Sequence, residues 1–158
     1  MQAHNHQTCI SDAILHAERV CDANGTRLTP TRKKVLQLIW ESHQAAKAYD
    51  LLEKIKPFIQ GATPMTIYRA LQFLQDQGLV HRVETLNAYV GCTHKHSKQH
   101  EAQLLLICET CQQIEEESAL ALMSHLNQEA EDRGFLVKRK TLEIYGTCAS
   151  CQASGTCS

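Results

Sequence analysis

Cys108-Glu-Thr-Cys111 and Cys148-Ala-Ser-Cys151 are the two stretches that decide the fold of this chain. Each Cys-x-x-Cys motif can present two thiolates on one face of a tight turn, and together they supply the four soft ligands of a tetrahedral zinc site. Apolar or alternating runs at residues 104–107 and 143–146 lead into the two motifs. We therefore predict that each motif ends a strand and that a structural zinc ion holds the two chain ends together.

Three other interpretations of the four cysteines remain at this point: two disulfides, four unrelated buried thiols, or iron in a rubredoxin-like site. Zinc is favoured over these because the two motifs occur together at a suitable spacing. A site closed by four sulfurs has no free position for a substrate. The predicted zinc site therefore explains folding, and the function must depend on other residues.

The composition is that of an ordinary globular protein, with 158 residues of which 43% are apolar and 21% charged. No run of eighteen apolar residues occurs, and the first residues lack a cationic and apolar signal-peptide pattern. We expect a cytoplasmic protein with no membrane partner. In a reducing compartment its eight cysteines favour metal ligation over disulfides.

The charge is unevenly distributed along the chain. Residues 1–91 contain ten Lys/Arg and eight Asp/Glu, a net charge of +2, whereas residues 92–158 contain six and nine, a net charge of −3. The positive charge of the first half suits binding to an acidic partner, although a difference of five charges between the halves does not establish such a partner.

The first half of the chain has the pattern of a winged helix-turn-helix. Helices are predicted over residues 11–24, from Pro30 after a Thr29 cap, over about residues 48–55, and from Pro64 after a Thr63 cap to Gly78. The last of these carries an apolar stripe and is followed by a predicted β-hairpin over residues 79–83 and 88–90. In a winged helix, the helix before the hairpin enters the DNA major groove.

The second half begins with a polar segment, residues 92–100, that is rich in His and Lys. Beyond it we predict strands at residues 104–107 and 113–116, a helix from 118 to about 133, and a long strand or strand pair over 135–145. The predicted fold class is α+β. The N-terminal winged helix-turn-helix domain spans residues 1–91, a hinge spans 92–103, and a small α/β dimerisation domain with the tetrathiolate zinc site spans 104–158. A unit this small is expected to need both its zinc and a partner subunit.

Candidate DNA-contacting residues lie on the outer faces of the predicted helices. The Arg69 guanidinium can bond guanine O6 and N7, and the Tyr68 phenol can reach a phosphate or a thymine methyl group. Tyr49, and Arg32 with Lys33, can hold the DNA backbone, and Thr66 lies on the same outer circumference as Tyr68. The alternative is an ordinary solvated polar face.

A second metal site is indicated by a set of six potential ligands around the hairpin and the polar segment. Each of its histidines taken singly is more simply a surface residue, but their placement suggests a site that joins the two halves of the chain. The set comprises His81, Cys92, His94, His96, His100 and Glu116.

Several motifs occur together and in order: Leu28-Thr-Pro-Thr-Arg, Ala48-Tyr-Asp-Leu-Leu52, Thr66-Ile-Tyr-Arg-Ala-Leu71, Gly78-Leu-Val-His81 and the two cysteine motifs. With them the chain resembles the ferric uptake regulator family, and most closely its zinc uptake regulator branch, from about Ile14 to Cys151. The resemblance implies a homodimeric, zinc-responsive repressor that binds double-stranded operator DNA and controls zinc-uptake genes. It implies no enzyme activity, no small organic substrate, and two Zn²⁺ ions per subunit.

The resemblance also assigns residues. It implies that Cys108, Cys111, Cys148 and Cys151 hold the structural zinc and that His81, Cys92, His100 and Glu116 hold the regulatory zinc. Tyr49, Tyr68 and Arg69 match DNA-contacting positions. The segment before Cys108 is about one residue longer than in close relatives, so His94 or His96 can replace His100.

Two rival functions are weighed against this one. Iron-sensing relatives carry His-His-Asp-His just before the first motif, where this chain reads Ala102-Gln-Leu-Leu-Leu-Ile107. The different sequence at this place favours a zinc sensor over an iron or peroxide sensor. A zinc hydrolase with Glu116 as its base would need an open metal position beside a pocket and a catalytic motif such as His-Glu-x-x-His, which the sequence lacks.

Overall fold

The structure is a computed structural model that describes residues 6–41, 44–92, 103–138 and 141–154. Contacts divide the chain into two compact units, residues 1–95 and residues 96–158.

The described residues of the first unit form four helices and three short strands. They are α1 (His6–Ala23), α2 (Pro30–Trp40), β1 (Ala46–Lys47), α3 (Ala48–Ile55), α4 (Pro64–Asp76), β2 (Val80–Val83) and β3 (Ala88–Gly91). The strands form an antiparallel sheet in the order β1-β3-β2. The predicted sequence of helices followed by a hairpin is therefore confirmed.

Threonine caps fix the starts of α2 and α4. Thr29 and Thr63 each accept a hydrogen bond from a backbone N–H three residues later, and Pro30 and Pro64 follow them at the first helical position. Thr63 and Thr66 bond reciprocally as a capping box. After α4 the chain reverses at Gly78, whose φ of 67° lies in the left-handed region that glycine adopts without strain.

The core of the first unit is formed by the apolar faces of the helices and the inner side of the hairpin. Leu36, Leu51, Leu71 and Val80 are almost completely buried within it. The predicted apolar stripe of α4 is also confirmed, since all four of its members are buried: Ile67, Ala70, Leu71 and Leu74.

The second unit is a small sheet with two helices. It contains β4 (Gln103–Cys108), β5 (Ile114–Ser118), α5 (Leu120–Asp132), β6 (Thr141–Gly146) and α6 (Ala149–Ser154). Strand β4 is central, antiparallel to β5 and parallel to β6. Helix α5 buries Met123, whereas Leu122 and Leu126, on the side that the sequence marks as apolar, are exposed.

Two boundaries and two elements differ from the sequence-based predictions. Helix α1 begins at His6 and not at residue 11. The predicted strand over residues 135–145 is wrong in its first part: residues 135–138 are not in a strand, and Phe135 and Leu136 are exposed. The length of the partner strand gives the physical reason. Strand β4 offers six residues for pairing, and β6 matches them from Thr141 to Gly146, so among the described residues those just before 141 have no strand to pair with. Helix α6 and the two-residue strand β1 were not predicted.

Candidate metal centres and nucleic-acid interface

The two cysteine motifs come together because the strands that precede them are neighbours. Cys108 ends β4 and pairs with Gly146 at the end of β6, so both chains leave the sheet at the same edge. The Glu109 N–H donates to the Gly146 carbonyl at 2.9 Å and ties the two turns to each other. Cys111 then lies in the turn after β4, while Cys148 precedes α6 and Cys151 lies within it.

The four sulfur atoms have the spacing of a tetrahedral site. The Sγ atoms of Cys108 and Cys151 are 3.8 Å apart, as are those of Cys111 and Cys148, and all four lie within 4.8 Å of one another. A tetrahedron with Zn–S bonds of about 2.3 Å has edges of about 3.8 Å. Covalent S–S bonds are about 2 Å long, so the two-disulfide interpretation does not fit this geometry.

Backbone donors favour the thiolate form of Cys108. The backbone N–H groups of Cys111 and Cys148 lower the pKa of Cys108 to about 6, and the Cys148 N–H lies 3.3 Å from its sulfur. At Cys111 a backbone hydrogen bond from Gln113 also favours the thiolate, but burial and the neighbouring Cys108 outweigh it and raise the pKa. A thiolate held by N–H donors is the form that zinc requires, so this group of residues fits the metal.

Two further potential metal ligands lie on or next to the hairpin of the first unit. His81 is on β2 opposite Val90 and is the one polar or charged side chain that is buried among the described residues. Cys92 follows β3, and its N–H donates to the Leu79 carbonyl at 3.0 Å, so the hairpin also fixes Cys92. The potential ligand atoms of His81 and Cys92 lie within 4.8 Å of each other.

The indole of Trp40 packs closely against Gly91, the residue that precedes Cys92. A Cβ added at Gly91 would meet the Trp40 ring at 2.4 Å, so only glycine allows this approach of β3 to α2. Trp40 and Cys92 also line a cavity of about 190 Å³ together with Cys9 and His16 of α1. The packing of α1 and α2 against the end of the hairpin therefore fixes the position of Cys92.

Of the other predicted ligands of the second metal, one lies among the described residues of the second unit. Glu116 is half-buried on β5, paired with Leu105 of β4. His100 and its alternatives, His94 and His96, lie outside the described residues.

The predicted DNA-contacting residues are all at or near the surface of the first unit. On α4, Tyr68 and Arg69 are exposed on the side opposite the buried stripe, and Thr66 is half-buried at the capping box. Tyr49, in the first turn of α3, is 71% exposed. Arg32 lies in the first turn of α2 and is held in place by two contacts: its guanidinium lies 3.5 Å from the centre of the Phe73 ring and donates to the Arg27 carbonyl at 2.6 Å.

Three of these five residues meet in one groove between the first turns of α2 and α4. The groove has a volume of about 280 Å³ and is lined by Arg32, Thr66 and Arg69, together with Met65. Tyr49 and Tyr68 do not line it. Sequence reasoning missed Met65, although its position three residues before Tyr68 and four before Arg69 places it on the same helix face.

The hairpin turn contributes little positive charge to this surface. The Arg82 side chain forms an ion pair with Glu84 at 3.2 Å and donates to the Asn87 side chain at 3.0 Å. A paired arginine attracts a phosphate less than a single one does. The groove between α2 and α4 is instead lined by two guanidinium groups, those of Arg32 and Arg69.

Comparison with known proteins gives a consistent result. The Ferric uptake regulator family profile matches residues 23–145. The zinc uptake regulation protein of Escherichia coli K12 is 35% identical over 151 residues, which covers 96% of this chain and 88% of that protein.

Two solved structures resemble the chain over most of its length. A zinc uptake regulator complexed with zinc and DNA matches with a TM-score of 0.86 and 34% identity, covering 97% of this chain and 99% of that one. A crystal structure of holo XcZur matches with a TM-score of 0.81 and 39% identity over 89% and 96%. Of the helices that the structure describes, none combines the length and apolar character needed to cross a membrane.

Proposed function

The chain belongs to the ferric uptake regulator family, and from this premise we propose that it is a zinc-responsive transcriptional repressor. It binds operator DNA as a homodimer and controls zinc-uptake genes. The observation that carries the proposal is the pair formed by buried His81 and Cys92 on the hairpin that directly follows α4. A thiol beside an imidazole favours zinc over Fe²⁺ or Mn²⁺.

The proposed structural zinc is held by Cys108, Cys111, Cys148 and Cys151. Support comes from their 3.8 Å sulfur spacings and from the N–H groups that favour the Cys108 thiolate. The site is closed, so its role is to hold the ends of β4 and β6 together.

The proposed regulatory zinc is held by His81 and Cys92 with Glu116 and His100, which makes two zinc ions per subunit. The first two ligands are supported by their proximity on the hairpin, and the last two by the family resemblance. His81 and Cys92 belong to residues 1–95, whereas Glu116 and His100 belong to residues 96–158. Ligands drawn from both units would link the DNA-binding half to the dimerising half only when zinc is present.

Zinc then acts as an effector through linkage. Zinc ligation in each subunit restricts the dimer to one arrangement. In it, the two α4 helices face successive turns of the major groove, about one turn apart. Because zinc binds that arrangement more tightly than others, bound operator must in turn tighten the hold of His81 and Cys92 on zinc.

The proposed DNA contacts follow from the surface of the first unit. Arg69 reads a base edge and Tyr68 packs beside it, while Arg32, Thr66 and Tyr49 hold the phosphate backbone. Arg32 is suited to this role because stacking on Phe73 orients its guanidinium before DNA arrives. We expect the protein in the cytoplasm, where its operator DNA is found.

An iron or peroxide sensor of the same family is the alternative function. It is less favoured because of Cys92 and because the segment before Cys108 reads Ala102-Gln-Leu-Leu-Leu-Ile107.

The proposal is tested by metal content and by DNA binding across a metal series. Operator fragments selected from a random duplex pool with zinc-loaded protein serve as the probe. We expect purified protein to retain one tightly held zinc and to bind the selected duplex specifically only after a second equivalent is added. Fe²⁺ and Mn²⁺ should be far weaker activators. Equal activation by Fe²⁺, or specific binding without a second metal, would contradict the zinc assignment.

A further inference from the structure

Helix α4 presents a four-residue exposed stripe that begins with a methionine. Met65, Tyr68, Arg69 and Gln72 are spaced as i, i+3, i+4 and i+7 and are all exposed, opposite the buried stripe of the same helix. Met65 is 58% exposed in the first turn, and Tyr68 is 51% exposed one turn later. The stripe is therefore apolar at its beginning and cationic at its middle.

An exposed apolar side chain has no meaning by itself, since single ones are common on protein surfaces. Met65 differs in its neighbours: it lines the groove between α2 and α4 with Arg32 and Arg69. Two guanidinium groups make this groove suitable for a polyanion, and the first turns of a recognition helix are the part that meets base edges. A methionine there gains nothing from phosphates, whereas contact with an apolar group on a base edge would bury its thioether.

We propose that Met65 is a specificity-determining residue that reads the C5-methyl group of a thymine in the operator. This rests on the proposed function, because it requires α4 to enter the major groove. Thymine is the base with a methyl group at the major-groove edge, and the flexible, polarisable thioether of methionine can cover it.

The position of that thymine follows from helix geometry. Met65 lies three or four residues before Tyr68 and Arg69, which is about 4.5–6 Å along the helix axis. Base pairs are spaced about 3.4 Å apart, so the thymine lies one or two base pairs from the pair contacted by Arg69. At the far end of the stripe, the Gln72 amide donates to Asp76 at 2.7 Å. Base reading is therefore concentrated in the first two turns, where Met65 lies.

The test removes the methyl group from DNA and the thioether from the protein, separately and together. In the duplex selected with zinc-loaded full-length protein, each thymine is replaced singly by uracil, which lacks only the C5-methyl group. A buried methyl group contributes about 0.8 kcal/mol, or about fourfold in affinity. We expect one thymine in each half-site at which uracil weakens wild-type binding about fourfold, and about 15-fold when both half-sites are changed.

Met65→Ala should bind the thymine duplex more weakly by a similar factor and should not distinguish thymine from uracil at that position. Because Met65 is exposed, this substitution should leave folding and zinc content unchanged, which circular dichroism and metal analysis check. The matched control is Phe58→Ala, another exposed apolar residue of the same unit, 64% exposed and outside α4. It should keep the wild-type sensitivity to uracil.

Arg69→Ala separates failure of this inference from failure of the proposed function. If Arg69→Ala loses specific binding while Met65→Ala retains full sensitivity to every uracil substitution, the role of Met65 is overturned and the repressor assignment stands. If Tyr68→Ala loses the sensitivity to thymine and Met65→Ala keeps it, the methyl contact belongs to Tyr68, and the role of Met65 is also overturned. If neither Arg69→Ala nor Met65→Ala changes binding, α4 is not the recognition helix and the inference fails with that assignment.

Discussion

The two units of the chain are stabilised in different ways. Among the described residues, twelve large side chains are almost completely buried: ten belong to residues 1–95, and Leu105 and Met123 are the two in residues 96–158. The second unit instead brings together four cysteines with the spacing of a zinc site. The first unit can fold on apolar burial, while the second depends on its proposed metal.

The second unit also exposes several apolar residues on α5 and β6. Leu122 and Leu126 of α5 and Ile144 of β6 are each more than two-fifths exposed. A homodimer, the assembly expected for this family, would bury such residues. The difference between the units therefore predicts that loss of metal and loss of core packing damage opposite ends of the chain.

Removing the structural zinc is expected to have the largest effect. Structural zinc sites in small domains contribute about 10–16 kcal/mol of apparent binding free energy, which is also folding free energy. Cys108→Ser, or treatment with a strong chelator, should unfold the second unit and dissociate the dimer. The buried Cys21 of the first unit gives the control, because Cys21→Ser should lower the melting temperature without loss of zinc. A dimeric Cys108→Ser protein with full zinc content would remove the distinction between the units.

The next largest effect should come from a cavity in the first unit. Leu71 of α4 is fully buried, and Leu→Ala changes at such positions typically cost about 2–5 kcal/mol. Leu71→Ala should lower the unfolding free energy of the first unit by that amount, as measured by urea denaturation followed by fluorescence of Trp40, the only tryptophan. The tightly held zinc and the dimer should persist. Loss of that zinc together with the fold of the first unit would show that the units do not fold separately.

A smaller effect is expected where the hairpin meets α2. In Gly91→Ala the new Cβ would lie 2.4 Å from the Trp40 ring, and overpacking of this kind typically costs about 1–3 kcal/mol. We expect reduced stability of the first unit, and also a weaker response of operator binding to zinc because Cys92 is the next residue. Gly146→Ala serves as the control, since nothing lies within 4 Å of its added Cβ. Unchanged stability and zinc response in Gly91→Ala would mean that this contact does not position Cys92.

The parts of the fold that were predicted from sequence are those with local causes. The Thr63-Pro64 start and the Gly78 stop define α4, and the two Cys-x-x-Cys motifs indicate four ligands whose sulfur atoms the fold brings together. What the sequence did not predict depends on distant partners. Strand β1 is two residues long and exists because β3 pairs with it, and β6 ends where β4 ends. The sequence places Met65 on the outer face of α4, but its position beside Arg32 depends on how α2 packs against α4.

We propose that Cys92 is part of the zinc switch and not of the folding core. Cys92→Ser should leave the four-cysteine zinc, the dimer and the weak, salt-sensitive affinity for DNA intact. The matched control is Cys9→Ser, which removes another half-buried thiol that lines the same cavity. Cys9→Ser should respond to zinc as the wild type does.

The measurement is a zinc titration of operator binding for the wild type, Cys92→Ser and Cys9→Ser. Allosteric coupling is typically worth about 1–3 kcal/mol, so specific binding by Cys92→Ser at a fixed zinc concentration should fall by about 5- to 150-fold. Its zinc midpoint should move to a much higher concentration or vanish. If the Cys92→Ser midpoint coincides with that of the wild type and only its melting temperature falls, Cys92 is a packing residue and the proposed switch is wrong.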